Sequence, residues 1–370
     1  MKQKLAILGA SYLQEPLVTK AKELGIETHC FAWADGATCK DLADFFYPIS
    51  ILDKEEIFKK CKEIQIDGIT TIATDMAVPT IGYVANILGL VSNSVESCLL
   101  TTNKGAMRTK LAQKKCAIPY FKKIVSFNES LYQLSLPLIV KPADRSGSRG
   151  VTKIDTYSTL QQAIIYALEE SFSKEVMVEQ FIEGKEVSVE TISFKGQHHI
   201  LTITDKITTE APHFVELAHH QPSELTKTIQ DKIKKETIKC LNALEVTYGA
   251  SHAEFKITDE GEVYLIELGS RMGGDFIGSH LVKLSTGYDF VKGVIDVALG
   301  KFEIPNLNNN NNAGVYFLCK ETEQILPYFL EDNLFDIEKK IQTNNITSVV
   351  NSNDRSGYLI YQSSQKVELL

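Results

Sequence analysis

Several absences narrow this 370-residue chain before any motif is considered. Its seven cysteines are odd in number and scattered without a Cys-x-x-Cys pair, which excludes a disulfide framework and makes a reduced, cytoplasmic protein the expectation. Positive charge is not in excess: the formal net charge is −8, so no nucleic-acid-binding surface is expected. Long hydrophobic runs are missing too, and the apolar stretch near the N-terminus is too short for a signal peptide, so no membrane partner is expected. Gly9-Ala10-Ser11 follows the first apolar run but lacks the second and third glycines of G-x-G-x-x-G. Asp35 stands where a ribose-binding acid could, yet the missing glycines oppose a dinucleotide-dependent dehydrogenase.

What is present has the size for two or three domains. Leu5–Ala10, Thr28–Trp33 and Gly68–Ala73 read as strands, with helices over Glu15–Leu24 and Lys54–Ile64. This is the pattern of a parallel sheet with crossover helices. A basic helix follows, from Thr101-Thr102-Asn103-Lys104 to about Lys115, with Pro119 just past its end. Leu138 to about Thr204 is rich in strand patterns, Thr208 to Ser223 reads as a loop, and a helix continues to about Glu245. The run Leu307 to Asn312 reads as a mobile connection.

Chemistry concentrates in two predicted strands, Ser251–Ile257 and Glu262–Leu268. With Glu260-Gly261 as the hairpin loop, Asp259 pairs with Glu262, and the same frame sets Glu254 opposite Glu267. Opposed side chains lie roughly 5 Å apart at Cβ, where two carboxylates repel unless a cation sits between them. Oxygen ligands on a rigid sheet suit Mg²⁺. Glu267 also opens Glu-Leu-Gly-Ser-Arg-Met-Gly-Gly, an acid followed by Arg271, Gly273 and Gly274. Upstream, the apolar strand Leu138-Ile139-Val140 ends in Lys141-Pro142, and Ser146-Gly147-Ser148-Arg149-Gly150 follows. Small residues there let backbone amides approach phosphate oxygens while Lys141 supplies a point charge. By itself this could be an ordinary glycine-rich hairpin. Its partner is Val176 to Glu186, a strand, a short hinge and a glycine turn, which suits an adenine-binding cleft edge.

In this order, Lys104, Val140-Lys141-Pro142, Ser146 to Val151, Val178 to Glu186, His252 to Phe255 and Glu267 to Gly274 resemble the ATP-grasp superfamily, from about Thr101 to Ala298. The resemblance implies an α/β and α+β multidomain protein. A Rossmann-like leading domain over 1–100 would precede an ATP-grasp domain over 101–306, two α+β subdomains clamping ATP with a lid over about 120–190. A small C-terminal β-rich part over 313–370 would follow. It implies ATP and Mg²⁺, replaceable by Mn²⁺, as cofactors. Lys104 and Lys141 would touch phosphates, Ser146, Gly147, Ser148 and Gly150 would form the lid loop, Glu179, Gln180, Phe181 and Ile182 would hold adenine, and Glu186 the ribose. Glu254 and Glu267 would bind the metal. The family often has Glu-x-Asn where this chain has Gly269, which leaves the number of metal ions open.

Such enzymes phosphorylate a carboxylate with ATP, and an amine attacks the acyl phosphate. Lys141 and Arg271 would be catalytic, Arg271 holding the carboxylate and then the oxyanion. Asp205 to His220 reads as a charged, histidine-bearing loop, in which Glu216 and His219 would share one face of a helical turn. With Arg271, Gly273, Gly274 and Asp275 they resemble the substrate residues of ligases that join amino acids into dipeptides. An L-amino acid ligase releasing ADP and phosphate is therefore expected; the oligomeric state stays open, a homodimer being one option because many relatives pair. The alternatives are a purine-biosynthesis-type ligase or other ATP-grasp ligase on a non-amino-acid substrate, or a non-catalytic ATP-binding sensor. For a sugar phosphate the leading domain offers only Thr74 to Ala77 and Ser92-Asn93-Ser94 as polar candidates.

Overall fold

The computed structural model describes residues 2–144, 149–211 and 213–370, so the lid-loop residues Ser146, Gly147 and Ser148 lie outside the described residues. The leading region is the parallel sheet its pattern predicts. Strands β1 (Lys4–Leu8), β2 (Glu27–Phe31), β3 (Phe45–Tyr47) and β4 (Gly68–Thr70) are ordered β3-β2-β1-β4. Helices α1 (Glu15–Glu23), α2 (Lys54–Ile64) and α3 (Val78–Leu88) cover it. Leu5 to Leu8 are fully buried, as expected for a strand covered on both faces. Helix α2 starts where the Asp53 side chain accepts the Glu56 N–H, and it ends at Gln65, which takes a left-handed φ of 59°. The short α4 (Val95–Leu100) leads into α5 (Lys104–Gln113), capped by Asn103.

Next comes a four-stranded antiparallel sheet, β5 (Phe121–Ile124), β6 (Leu138–Pro142), β7 (Thr152–Ile154) and β8 (Val176–Gln180), ordered β5-β8-β6-β7. Helix α6 (Leu160–Glu170) interrupts the stretch expected to be strands. Its Leu160, Ala163, Ile164 and Ala167 recur at helical spacing and pack on Val140, Ile154 and Val178.

The largest element is an eight-stranded antiparallel sheet. It comprises β9 (Lys185–Phe194), β10 (Gln197–Thr208), β11 (Glu216–Gln221), β12 (Gly249–Ile257), β13 (Val263–Gly269), β14 (Asn312–Leu318), β15 (Asp336–Ile341) and β16 (Gly357–Ser363). Their order is β13-β12-β9-β10-β11-β14-β16-β15. One face packs Val189, Ile203 and Phe255 against α5 and α7 (Lys227–Ala243). The other is polar: Lys256, Glu186, Lys206 and His219 form one row across β12, β9, β10 and β11. Helices α8 (Val282–Thr286) and α9 (Phe290–Ala298) return the chain to the leading sheet, and α10 (Leu326–Leu330) lies beside β15.

Two expectations change. The stretch Thr208 to Ser223, read as a loop, contains β11, buried from Leu217 to Gln221 between β10 and β14; tertiary pairing made a strand where no alternation showed. The 313–370 segment is β-rich, and its strands continue the central sheet through β14. The asparagine run before it is tied down at Asn309, which donates to the carbonyls of Thr286 and Leu284.

Candidate active site

Glu254 and Glu267 are register partners on the polar face, but the hairpin reaches that pairing by an unexpected route. Phe255 pairs with Leu265 and Ile257 with Val263, and the turn closes at Thr258, whose N–H donates to Glu262, so Asp259 does not pair with Glu262. A β-bulge at Ile266 then shifts β13 by one residue. Side chains alternate faces, so this extra residue turns Glu267 away from the core face of Leu265 and Val263 and onto the face of Glu254. The Ile266 carbonyl accepts from Arg108 Nη2 at 2.6 Å.

Arg108, on α5, is 1% exposed and also holds Glu179 of β8 at 2.8 and 3.1 Å. It was not singled out from the sequence, although Lys104, Arg108 and Leu111 recur on the buried side of α5. Glu179 therefore does not offer its side chain to adenine: its carboxylate bridges Arg108 and Lys141, whose Nζ lies 2.8 Å away. Burial would raise its pKa, but the two cations outweigh that and hold it at about 2. The N–H groups of Gln180 and Phe181 are engaged by the carbonyls of Tyr120 and Pro137.

Lysines hold the other acids. Lys104 Nζ donates to Glu267 Oε1 at 2.6 Å. Lys206, 3% exposed, contacts Glu186 at 2.7 Å, Glu254 at 2.9 Å and Glu216 at 3.5 Å. Its pKa stays well above the usual value because three carboxylates outweigh its burial. Sequence reading missed Lys206; its only signal was a lysine one strand from Glu186 and Glu254. Glu186, the expected ribose acid, sits between Lys206 and Lys256, the latter 3.1 Å away. Burial raises the Glu254 pKa, but Lys206 and His252 drive it well below the carboxylate range. Glu254 and Glu267 both line the cleft, and their carboxylates are hard oxygen donors of the kind that suits Mg²⁺.

At the other end of the cleft, Glu216 and His219 do share a face, although they lie on a strand and not on a helical turn. A bulge at Leu217 pairs Glu216 with Thr208 while His219 stays opposite Lys206. His219 is buried, edge-on to Phe317 at 5.8 Å, and neither ring nitrogen has a partner among the described residues. Burial holds its pKa well below 6.5, which keeps the ring neutral.

The glycine strip is braced from both sides. Arg271 is not free: it makes a bidentate pair with Asp75 of the leading region, at 2.9 and 2.9 Å. A Cβ at position 269 would lie 2.5 Å from Asp75 Oδ1, so glycine there leaves the space this carboxylate fills. Asp275 is likewise held by Arg355, at 3.0 and 2.9 Å, and so does not face substrate alone. The Gly273 N–H is spent on Glu190, which also binds His252 Nδ1, and a Cβ there would meet both side chains at 2.7 Å. At Gly274 a Cβ would make an ordinary contact with Ala73 Cβ at 3.5 Å. Gly150, at φ +72°, would strike Pro142 with any Cβ. A cavity of about 600 Å³ joins Lys206, Glu216, His219, Glu254, Glu267 and Arg271.

Residues 134–279, which include β6 to β8 of the small sheet and the paired strands β12 and β13, match the ATP-grasp domain family. The match is to that domain, and ATP-grasp ligases use ATP and Mg²⁺. Among curated relatives, a D-alanine–D-alanine ligase of Flavobacterium psychrophilum is 29% identical over 185 residues, 47% of this chain and 55% of that protein. An alanine–anticapsin ligase of Bacillus amyloliquefaciens is 26% identical over 295 residues, 70% of this chain and 62% of that protein. The chain spans 50 to 62% of the length of the first curated relatives it matches. Among solved structures, L-amino acid ligase from Bacillus licheniformis aligns with TM-score 0.82 at 23% identity, covering 98% of this chain and 94% of that one. Phosphoribosylglycinamide synthetase from Anaerococcus prevotii aligns with TM-score 0.78 at 22% identity, covering 99% and 95%. At these identities the two share the fold. No helix among the described residues is long and apolar enough to cross a membrane.

Proposed function

We propose that this protein is an ATP- and Mg²⁺-dependent carboxylate–amine ligase that joins amino acids through an acyl phosphate. One observation carries the proposal: Glu254 and Glu267 face each other on the wall of the cavity into which Glu216, His219 and Arg271 also project. Glu254 and Glu267 would hold Mg²⁺, which supplies charge neutralisation at the transferring oxygens when bound. Lys104, Lys141 and Lys206, each paired with a carboxylate, would exchange that partner for a phosphate oxygen. With the Gln180 and Phe181 amides engaged, adenine would be met by the remaining backbone groups from Gln180 to Ile182.

Arg271 orients the substrate carboxylate for attack on the γ-phosphate; Asp75 fixes its guanidinium plane. The amine then attacks the acyl carbon, phosphate leaves, and the amine proton is released. Glu216 and the neutral His219 offer acceptors to the substrate ammonium group. Phosphate release with Mg²⁺ and ATP over single and paired amino acids, with mass spectrometry of the products, tests this directly. A dipeptide mass supports it; turnover only with a ribonucleotide amine would favour a purine-type ligase, and ATP binding without turnover a sensor.

A further inference from the structure

The leading region holds a second cavity, of about 400 Å³, at the C-terminal ends of β1 and β2. Leu13, Ala32, Trp33, Leu52, Ala73 and Met76 give it an apolar wall. Trp33 is 70% exposed, Leu52 54% and Met76 40%, so large apolar side chains face water around one hollow. Leu13, Ala73 and Thr74 line both this hollow and the active-site cavity, so the two adjoin across these residues.

Its chemistry excludes a phosphorylated ligand. Among the described residues, no Lys, Arg or His lines it. The turn after β1 has no amide cradle to offer, because the Gly9 N–H donates to Phe31 and the Ser11 N–H to Gln14 Oε1. The Gln14 side chain, itself buried and donating to Ile72, fills the space in which a Cβ at Gly9 would lie 2.9 Å from Gln14 Cδ. Glu15 then puts a negative charge in the first turn of α1, where a phosphate would otherwise be favoured.

We infer that this hollow receives the apolar side chain of the amino acid whose carboxylate Arg271 holds, selecting aromatic and large aliphatic substrates. The inference rests on the ligase reading above. A hydrophobic subsite of this kind separates substrates differing by a few methylenes by about tenfold or more in kcat/KM.

Trp33 is the only tryptophan of the chain, so its emission reports on this hollow alone. The full chain, with Mg²⁺ and a non-hydrolysable ATP analogue, would be titrated with L-phenylalanine, L-leucine and L-alanine, and kcat/KM then measured for all three with ATP. The expected result is a saturable emission change with phenylalanine and leucine but not alanine, and a phenylalanine preference over alanine of about tenfold or more. Met76→Glu and Leu52→Glu, whose carboxylates reach water at the rim, should each cut that preference about tenfold. An equal emission change with alanine, or a preference unmoved in both variants, would overturn the inference. The two readings fail separately. Emission changes without ADP release keep the subsite and sink the ligase; amino-acid-dependent ADP release with a silent Trp33 does the reverse.

Discussion

The β12–β13 hairpin and the β10–β11 pair carry the same irregularity and secure it by different means. In each, one extra residue, Ile266 or Leu217, reverses the alternation of side chains and brings an acid to the cleft face. The Ile266 bulge is fixed by a charge, because its carbonyl accepts from Arg108, which also holds Glu179. The Leu217 bulge is fixed by packing, since Leu217 sits in an apolar cluster with Val215, Cys319 and Val349. The Glu254–Glu267 end is thus built from ion pairs that can trade partners, and the Glu216–His219 end from a neutral histidine edge-on to Phe317. Neither acid pair could reach the cleft on an unbroken ladder without sending neighbouring leucine or valine side chains there as well.

Breaking the charged anchor should have the largest effect. Arg108→Ala strands the Ile266 carbonyl and leaves Glu179 with Lys141 alone, and chemical denaturation should show a loss of about 3–5 kcal/mol. A loss below about 1 kcal/mol would show that the bulge needs no such anchor. Arg271→Ala should raise the barrier by about 3 kcal/mol, read as a fall of two orders of magnitude in kcat. Asp75→Asn is its control: if the pair only joins the regions, both variants lose stability alike while kcat of the folded fraction stays put.

The neutral end should announce itself in acid. Burial pushes the His220 pKa from 6.5 down to about 3, while its Nδ1 bonds Tyr361 at 2.9 Å. A folded pKa below the unfolded one means that this stability is complete above pH 6.5 and is lost as pH falls toward 3. Between pH 6.5 and 5, His220 alone should account for about 2 kcal/mol, and His220→Gln should flatten that slope in denaturation curves. The smallest effect sharpens the comparison most. Deleting Leu217 restores an unbroken β10–β11 ladder and turns Glu216 to the other face, so the KM for the amino acid should rise about tenfold, about 1.4 kcal/mol. An unchanged KM would remove Glu216 from substrate binding, and Leu217→Ala, which keeps the extra residue, separates register from packing.

The sequence alone determined the parallel leading sheet, the order of lysine, hinge and paired glutamates, and the ATP-grasp domain over 134–279. These are carried by local periodicity and by short motifs whose parts lie within a few residues of one another. Only the tertiary structure decided which charge holds which. Asp75 meets Arg271 across 196 positions, Arg355 meets Asp275 across 80, and Lys206 gathers acids from three other strands. It also decided that β11 is a strand, and that a bulge, and not a helical turn, sets Glu216 beside His219. The reason is physical: a bulge or a distant ion pair costs little locally and leaves no periodic trace, so it is fixed by what packs around it.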